Sequence, residues 1–384
     1  MRLVDSDEPD RRPALVRVFD AVCEQGPLAR NALRRLVSAS PSTVSACVQE
    51  LREQQLVDDS ARGASTGGRQ PTLLDLGPRA GIVLAADIGG HTLRAAVGDL
   101  RGRVLARKQR PTPRAATGGS IQSAIDDLLD EVHAAGNGPV RAVALGIAGI
   151  VHPISHEVSL SVNVPGWSDV DTPRWLERFG APALVDNEAN MAALGEHASG
   201  AARGMQHFVF VAMGAGIGAG VVIGGEIFRG IKGAAGEIGL MVTPGSDRAG
   251  QLEGEAGATA LVERHRQLAG GNATAAEIFA RASIGEEPAR GLVDGVLDHL
   301  ALGIANTAAV LDPEAVVLGG GYAEAGQALR DGLVQRLDTL LEDPPPLILG
   351  QLGPDAALIG ALHAAAIRGR QEIGAILERG ASRV

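Results

Sequence analysis

Cysteine is almost missing from this chain: two residues in 384, Cys23 and Cys47, both in the N-terminal region at positions that fall on apolar helix faces. That placement predicts reduced core residues in a cytoplasmic protein rather than a disulfide or a metal pair. No cysteine follows residue 47, so a thiolate-rich zinc site cannot be built from the rest of the chain. Aromatic residues make up only 2% of the sequence, which leaves Leu, Val, Ile and Ala to fill the interior. No uninterrupted apolar run reaches the ~18 residues that suggest a membrane span, and the start, MRLVDSDEPDRRP, lacks the apolar core of a signal peptide. Lysine occurs twice, and the net charge of −10 argues against non-specific nucleic-acid binding by the whole molecule. The charge is uneven, however. Between Arg11 and Pro71 nine Arg face six acids, a balance of +3, so the remainder carries −13.

What is present is 45% hydrophobic residues, enough for a sizeable core and two or three domains. Residues 13–24 repeat apolar positions at helical spacing until GPL, and residues 29–37 form a short second helix. A third follows SASP, with Ser40 as N-cap and Pro41 at the first helical position. Its apolar face is Val44, Cys47, Val48 and Leu51; Ser42, Thr43, Ser45 and Gln49 lie on the other. LVDDSARGASTGGRQPTLLDL then places two short apolar runs around a Gly/Ser-rich turn. Three helices and such a wing predict a winged helix-turn-helix over 13–76, after a tail at 1–12. A small structural domain is the plain alternative. Small hydroxyls and an amide on the third helix can approach base edges and phosphates. Arg69, on the glycine-flanked wing tip, is slim enough for a minor groove. Ala46 stands where a basic side chain would strengthen that reading.

After Gly77–Pro78 the pattern becomes α/β. GIVLAADIGGHTLRAAVGDLRGRVLARKQRP reads as three strands with turns at IGGH and LRGR. The theme strand, glycine-rich turn, strand at 82–98 recurs at 207–223, HFVFVAMGAGIGAGVVI, which suggests a duplicated, two-lobed fold around a ligand cleft. LVDNEANMAALGE at 184–196 reads as a buried strand delivering Asp186, Asn187 and Glu188 to the start of a helix. One of them suits a helix cap; three in a row exceed what a cap requires.

From about residue 13 to 370 the chain resembles the ROK family (repressor, open reading frame, kinase), through STGGRQPTLLDL, DIGG, GIAG, NVPGW, DNEAN, GAGIGAGVV, GAAGEIG and VVLGGG in that order. The resemblance implies an actin-like, ribonuclease-H-type body. Its first lobe would span 81–188 with a C-terminal helix at about 356–376, and its second 189–355. It also implies that sugar kinases of the family lack the N-terminal winged helix and that regulators carry it.

The body departs from the kinase pattern that the resemblance implies. His91 stands where kinases keep a Thr after the first phosphate turn, and Ala215 replaces the Thr of the second. The backbone amides of Gly89, Gly90, Gly214 and Gly216 could still cradle an anion, or these glycines only make tight turns. The kinase base is an Asp, and Glu188 occupies its position, which moves the carboxylate by about one C–C bond, ~1.5 Å. A displacement of about 1 Å can cost on the order of 100-fold in rate. Leu240 replaces a zinc-binding His, and the cysteine cluster is absent. By resemblance, Asn163, Asn187, Glu188, Glu237 and Glu253 would ring the hydroxyls of a pyranose, since carboxylates accept and amides both donate and accept.

The expectation is a cytoplasmic, homodimeric or homotetrameric DNA-binding regulator that uses a sugar or sugar-derived effector, with no catalytic residue, metal or cofactor. DNA would be met by Ser42, Thr43, Ser45, Gln49 and Arg69. An active sugar kinase with an added DNA-binding domain, and a regulator whose body is only an oligomerisation scaffold, remain open at this point.

Overall fold

The structure, a computed structural model, describes residues 12–62, 72–114, 117–161, 164–243 and 251–380. The chain begins with helix α1 (Arg12–Gln25), which buries Leu15, Val18, Phe19 and Val22 at helical spacing. A two-residue strand β1 (Leu28–Ala29) leads into α2 (Arg30–Val37), which stops where Ser38 turns into the left-handed region. Helix α3 (Pro41–Glu53) starts as its sequence demands: Thr43 N–H donates to Ser40 Oγ at 3.1 Å, and Pro41 occupies the first position, where its missing N–H costs nothing. Val44, Cys47, Val48 and Leu51 are its buried face, and no disulfide joins the two buried cysteines. Strands β2 (Val57–Arg62) and β3 (Thr72–Leu76) pair antiparallel, and β1 completes the sheet in the order β1-β3-β2. Arg69 and the rest of the hairpin tip lie outside the described residues.

Two five-stranded sheets follow. The first is built from β4 (Ile82–Ile88), β5 (Thr92–Gly98), β6 (Val104–Pro111), then α4 (Gly118–His133), β7 (Val140–Ile147), a small hairpin of β8 (Ile150–Val151) and β9 (Val158–Ser159), α5 (Thr172–Glu177), and β10 (Ala183–Asn187). Helix α6 (Glu188–Ser199) leads to the second: β11 (Phe208–Met213), β12 (Ile217–Ile223), β13 (Glu226–Ile227), the helices α7 (Leu252–Ala256), α8 (Ala258–Ala269), α9 (Ala275–Ser283) and α10 (Ala289–Leu311), β14 (Ala315–Gly319), α11 (Gln327–Leu340) and β15 (Leu347–Leu349). Helix α12 (Ala356–Arg379) closes the fold. The sheet orders are β10-β7-β4-β5-β6 and β13-β12-β11-β14-β15. Numbered within each sheet, both read 3-2-1-4-5, with the first three strands antiparallel and the last two parallel to the first. The strand–turn–strand repeats of the sequence are β4–β5 and β11–β12.

Side chains alternate between two buried faces of each sheet, as a period of two requires. Ile82, Leu84, Ala86 and Ile88 of β4 pack with Ile121, Ile125, Leu128 and Val132 of α4. Val83 and Ala85 turn the other way, into a core with Ala361, Leu362 and Ala365 of α12. In the second sheet Val209, Val211 and Met213 share a core with α7–α11, whereas Phe208 and Phe210 face Ala192 and Ala193 of α6. The centre is thus sheet, α12, α6, sheet. The two helices touch backbone to backbone: a Cβ on Gly360 would lie 1.7 Å from Met191 O, and one on Gly195 would lie 2.2 Å from Ala356 O.

The N-terminal helices belong to the same core as α12 and the first sheet. Val16 of α1 meets Gly374 of α12, and Arg12 Nη1 donates to Glu378 O at 3.0 Å. Arg101, in the β5–β6 turn, donates to Val22 O at 2.9 Å and pairs with Asp75 of β3. Arg141 holds the connecting segment by donating to Ala80 O at 3.0 Å. Among the described residues no helix is long and apolar enough to cross a membrane.

Candidate functional site

The polar trio at the end of β10 divides its work. Asp186 is buried; its Oδ1 accepts from Asn187 N and Asn190 Nδ2, both at 2.8 Å, and its Oδ2 from Arg229 Nε at 2.7 Å. Arg229 follows β13, so this ion pair ties the first sheet to the second. Asn187 is the helix cap: its Oδ1 accepts from Ala189 N at 2.7 Å, while Nδ2 donates to Gly149 O at 2.9 Å. The cap is therefore filled without Glu188. Glu188 is half-buried as a residue, yet its Oε2 is closed off from solvent and has no hydrogen-bond partner among the described residues.

Carboxylates from both lobes converge on it. Burial, and then the nearby charges of Asp87, Glu237 and Glu253, push the Glu188 carboxyl up to about 8. Asp87, the acid of DIGG at the end of β4, is pushed up to about 6, chiefly by burial and against the pull of Arg94, whose Nη1 donates to it at 3.0 Å. Glu237 is raised by burial and then by Glu253. Desolvation is the largest cause throughout; the neighbouring acids add to it at Glu188 and Glu237, and at Asp87 Arg94 offsets only part of it. Among the described residues no group of three or more His, Cys, Asp or Glu side chains is disposed to hold a metal ion.

The two glycine turns differ from one expectation. Gly89 N–H donates to Thr92 O at 3.1 Å, and Gly214 N–H to Gly216 O at 2.9 Å. Two of the four amides proposed as an anion cradle are thus spent on closing the turns themselves. His91 and Ala215 are exposed at these turns. Glu253 is likewise occupied: its Oε2 accepts from Ile217 N at 2.9 Å, under the second turn. A Cβ on Gly216 would lie 2.3 Å from that oxygen, so a side chain there would displace the Glu253 carboxylate.

Of the five residues expected to ring a sugar, Glu188, Glu237 and Glu253 are brought within electrostatic reach of one another, and Asn187 adjoins them with one amide N–H already used. Asn163 lies outside the described residues. Three residues at the site were not singled out from the sequence. Asp87 stands in DIGG, a motif that carries the family resemblance, without a role of its own in the sequence reading. Arg229 carries no local signal, because its partner is 43 residues away. Ser161, whose buried Oγ has no partner among the described residues, sits against Gly149, the glycine whose carbonyl accepts from Asn187.

On α3, Ser42, Ser45 and Gln49 are exposed and Thr43 is half-buried. Ser40 Oγ is 2.8 Å from both Ser42 Oγ and Thr43 Oγ1, and Gln49 Nε2 donates to Glu53 Oε1 at 3.0 Å. Among the described residues, Ser45 is the hydroxyl of the set without a hydrogen-bond partner.

Comparison with known proteins places these features in company. The pattern of the ROK family matches residues 83–367. A putative xylose repressor of Caldicellulosiruptor sp. (strain Rt8B.4) is 29% identical over 340 residues, 82% of this chain and 85% of its own. A glucokinase of Halalkalibacterium halodurans is 32% identical over 306 residues, 72% of this chain and 92% of its own. Among solved structures, a ROK hexokinase from Thermus thermophilus superposes with a TM-score of 0.65 at 31% identity, covering 74% of this chain and 98% of that one. A ROK-family transcriptional regulator, a homologue of the E. coli MLC protein, superposes with a TM-score of 0.76 over 96% of this chain and 98% of that one; at 19% identity this likeness concerns the fold.

Proposed function

Because the chain belongs to the ROK family, we propose that it is a cytoplasmic, sequence-specific transcriptional regulator, a repressor in action, whose body binds a sugar or sugar-derived effector without phosphorylating it. The observation that carries this reading is the unit of three helices and a hairpin at the N-terminus, which lies ahead of the family's matched region. The hexokinase covers 74% of this chain, whereas the regulator's 96% leaves no room to omit that unit. The similarity to a putative xylose repressor over 82% of the chain supports the same reading. In it, residues 13–76 are a winged helix-turn-helix whose α3 enters the major groove, presenting Ser42, Thr43, Ser45 and Gln49, with Arg69 at the wing tip. A homodimer or homotetramer would match a two-fold symmetric operator. Effector binding between the lobes would change the spacing of paired α3 helices, coupling the two sites.

The 32% identity to a glucokinase favours a second reading, a working kinase. A carboxyl pushed up to about 8 is no poor base in itself. The weakness lies in placement and in the phosphate clamp: Glu188 is one methylene too long, His91 and Ala215 bring no hydroxyl, and two turn amides are engaged. Phosphoryl transfer depends on positioning and charge stabilisation. ATP with glucose, N-acetylglucosamine, mannose or xylose should give no phosphotransfer, and Glu188→Asp should not restore it. Turnover near ~1 s⁻¹, the low end of ordinary enzymes, in a coupled assay would establish the kinase instead. A footprint on the DNA upstream of the chain's own coding region, repeated with these sugars, tests the regulator; DNA binding indifferent to every sugar would point to a scaffold.

A further inference from the structure

The cleft holds more negative charge than it holds partners for it. Asp87 has Arg94, Asp186 has Arg229, and Asp355, whose charge also reaches Asp87, has Arg107. Among the described residues Glu188, Glu237 and Glu253 form no ion pair, and the charges that act most strongly on Glu188 are the acids Asp87, Glu237 and Glu253. The second observation is independent of that count. Glu188 Oε2, shut away from solvent, accepts nothing from the described residues, although Asn187 already caps the helix and Asp186 already braces it. Ser161, which lies against Gly149, carries a further buried polar atom, Oγ, without a partner among the described residues. Leaving such groups unsatisfied costs free energy that a complementary ligand would recover.

A neutral pyranose can donate hydroxyls to these oxygens but brings no charge. With Glu188 pushed up to about 8, the ligand-free cleft balances itself by keeping a proton. An ammonium group does better, since it brings three N–H donors and a full positive charge, and charge-assisted bonds are roughly twice as strong as neutral ones. We propose that the ligand of this cleft is a cationic amino sugar, its ammonium seated at the unpartnered Glu188 carboxyl oxygen, in the field of Glu237 and Glu253, and its ring hydroxyls turned toward the Asn187 amide. The proposal rests on the sugar-binding reading above. On binding at neutral pH the ammonium takes the place of the proton on Glu188, which leaves to the buffer, so that the charge of the filled cleft changes by no more than the exchange of one cation for another.

Calorimetry on the full chain at pH 7 tests this with glucosamine, galactosamine and mannosamine, their parent hexoses and their N-acetyl forms. At least one amino sugar should bind ~10-fold or more tightly than its parent, about 1.4 kcal/mol. N-acetylation, which keeps the nitrogen and removes the charge, should abolish the advantage. Titrations in two buffers of different ionisation enthalpy should report a proton released. Glu188→Gln and Glu237→Gln should each erase the preference for the amine, and either variant serves if the other fails to fold. Equal or tighter binding of the parent hexoses, with no advantage to the amines, overturns the amino-sugar assignment and leaves the sugar reading standing. A preference for the amine that survives in both variants places the ammonium elsewhere and also overturns it. If no sugar of the panel binds, the sugar reading falls and this proposal with it.

Discussion

At the scale of single residues, Glu188 shows what burial does to a carboxylate. Its ordinary value in an unfolded chain is ~4.3, and in the fold it is pushed up to about 8. The folded state therefore keeps this proton over a range in which the unfolded chain has lost it. The stability contributed is complete below the unfolded value and is lost as the pH rises through about 8. Asp87, pushed up to about 6, acts in the same direction over a narrower range. Ligand-free protein should accordingly lose stability between pH 5 and 8. Glu188→Gln, which cannot ionise, should lose less and be the more stable of the two proteins at pH 8. Parallel melting curves for the two proteins across that range would refute this. That Glu188 mattered was legible, because one cap cannot use three polar residues. Which of the three caps was not, since the choice of Asn187 depends on Gly149, 38 residues earlier.

At the scale of elements, the strands were legible and their partners were not. IGGH and LRGR bound β4, β5 and β6 closely, and the second strand–turn–strand appeared where its echo in the sequence put it. Period-two burial and glycine turns are local properties, so local sequence carries them. The crossing of α6 and α12 is not local: Gly195 and Gly360 look like any helix glycines until each is seen to admit the other's backbone. Gly360→Ala would place a methyl 1.7 Å from Met191 O and drive the helices apart. It should destabilise by about 1–3 kcal/mol, the usual cost of overpacking. Gly119→Ala is the control, on α4 with nothing near the added methyl; it should gain roughly 0.5–1 kcal/mol from helix propensity. Denaturant titrations of both variants distinguish the two effects, and a neutral Gly360→Ala would mean that the crossing yields.

At the scale of the molecule, the N-terminal unit is not a bead on a string. Leu15, Val18 and Phe19 lie in one continuous core with Ile373 and Leu377 of α12 and with the first sheet. The sequence offered Gly77–Pro78 as a boundary, and composition does shift there, but a shift in composition says nothing of which faces meet. A chain beginning at residue 81 should therefore expose Ile373 and Leu377. At about 1.5–3 kcal/mol for each large side chain, it should melt at a lower temperature than the whole protein or aggregate. An unchanged melting temperature would show the unit to be detachable. The same shared core has a consequence in leverage. From the Gly360 crossing to Leu377 runs 17 residues of helix, ~26 Å at ~1.5 Å per residue, and the N-terminal helices ride on its far end. If the lobes pivot at that crossing by only ~5°, the far end sweeps on the order of 2 Å, more than half of the ~3.4 Å rise of a base pair. Under the proposed regulator function, a ligand would need to shift its immediate neighbours by only a fraction of an ångström for a reading helix to arrive out of step with its groove.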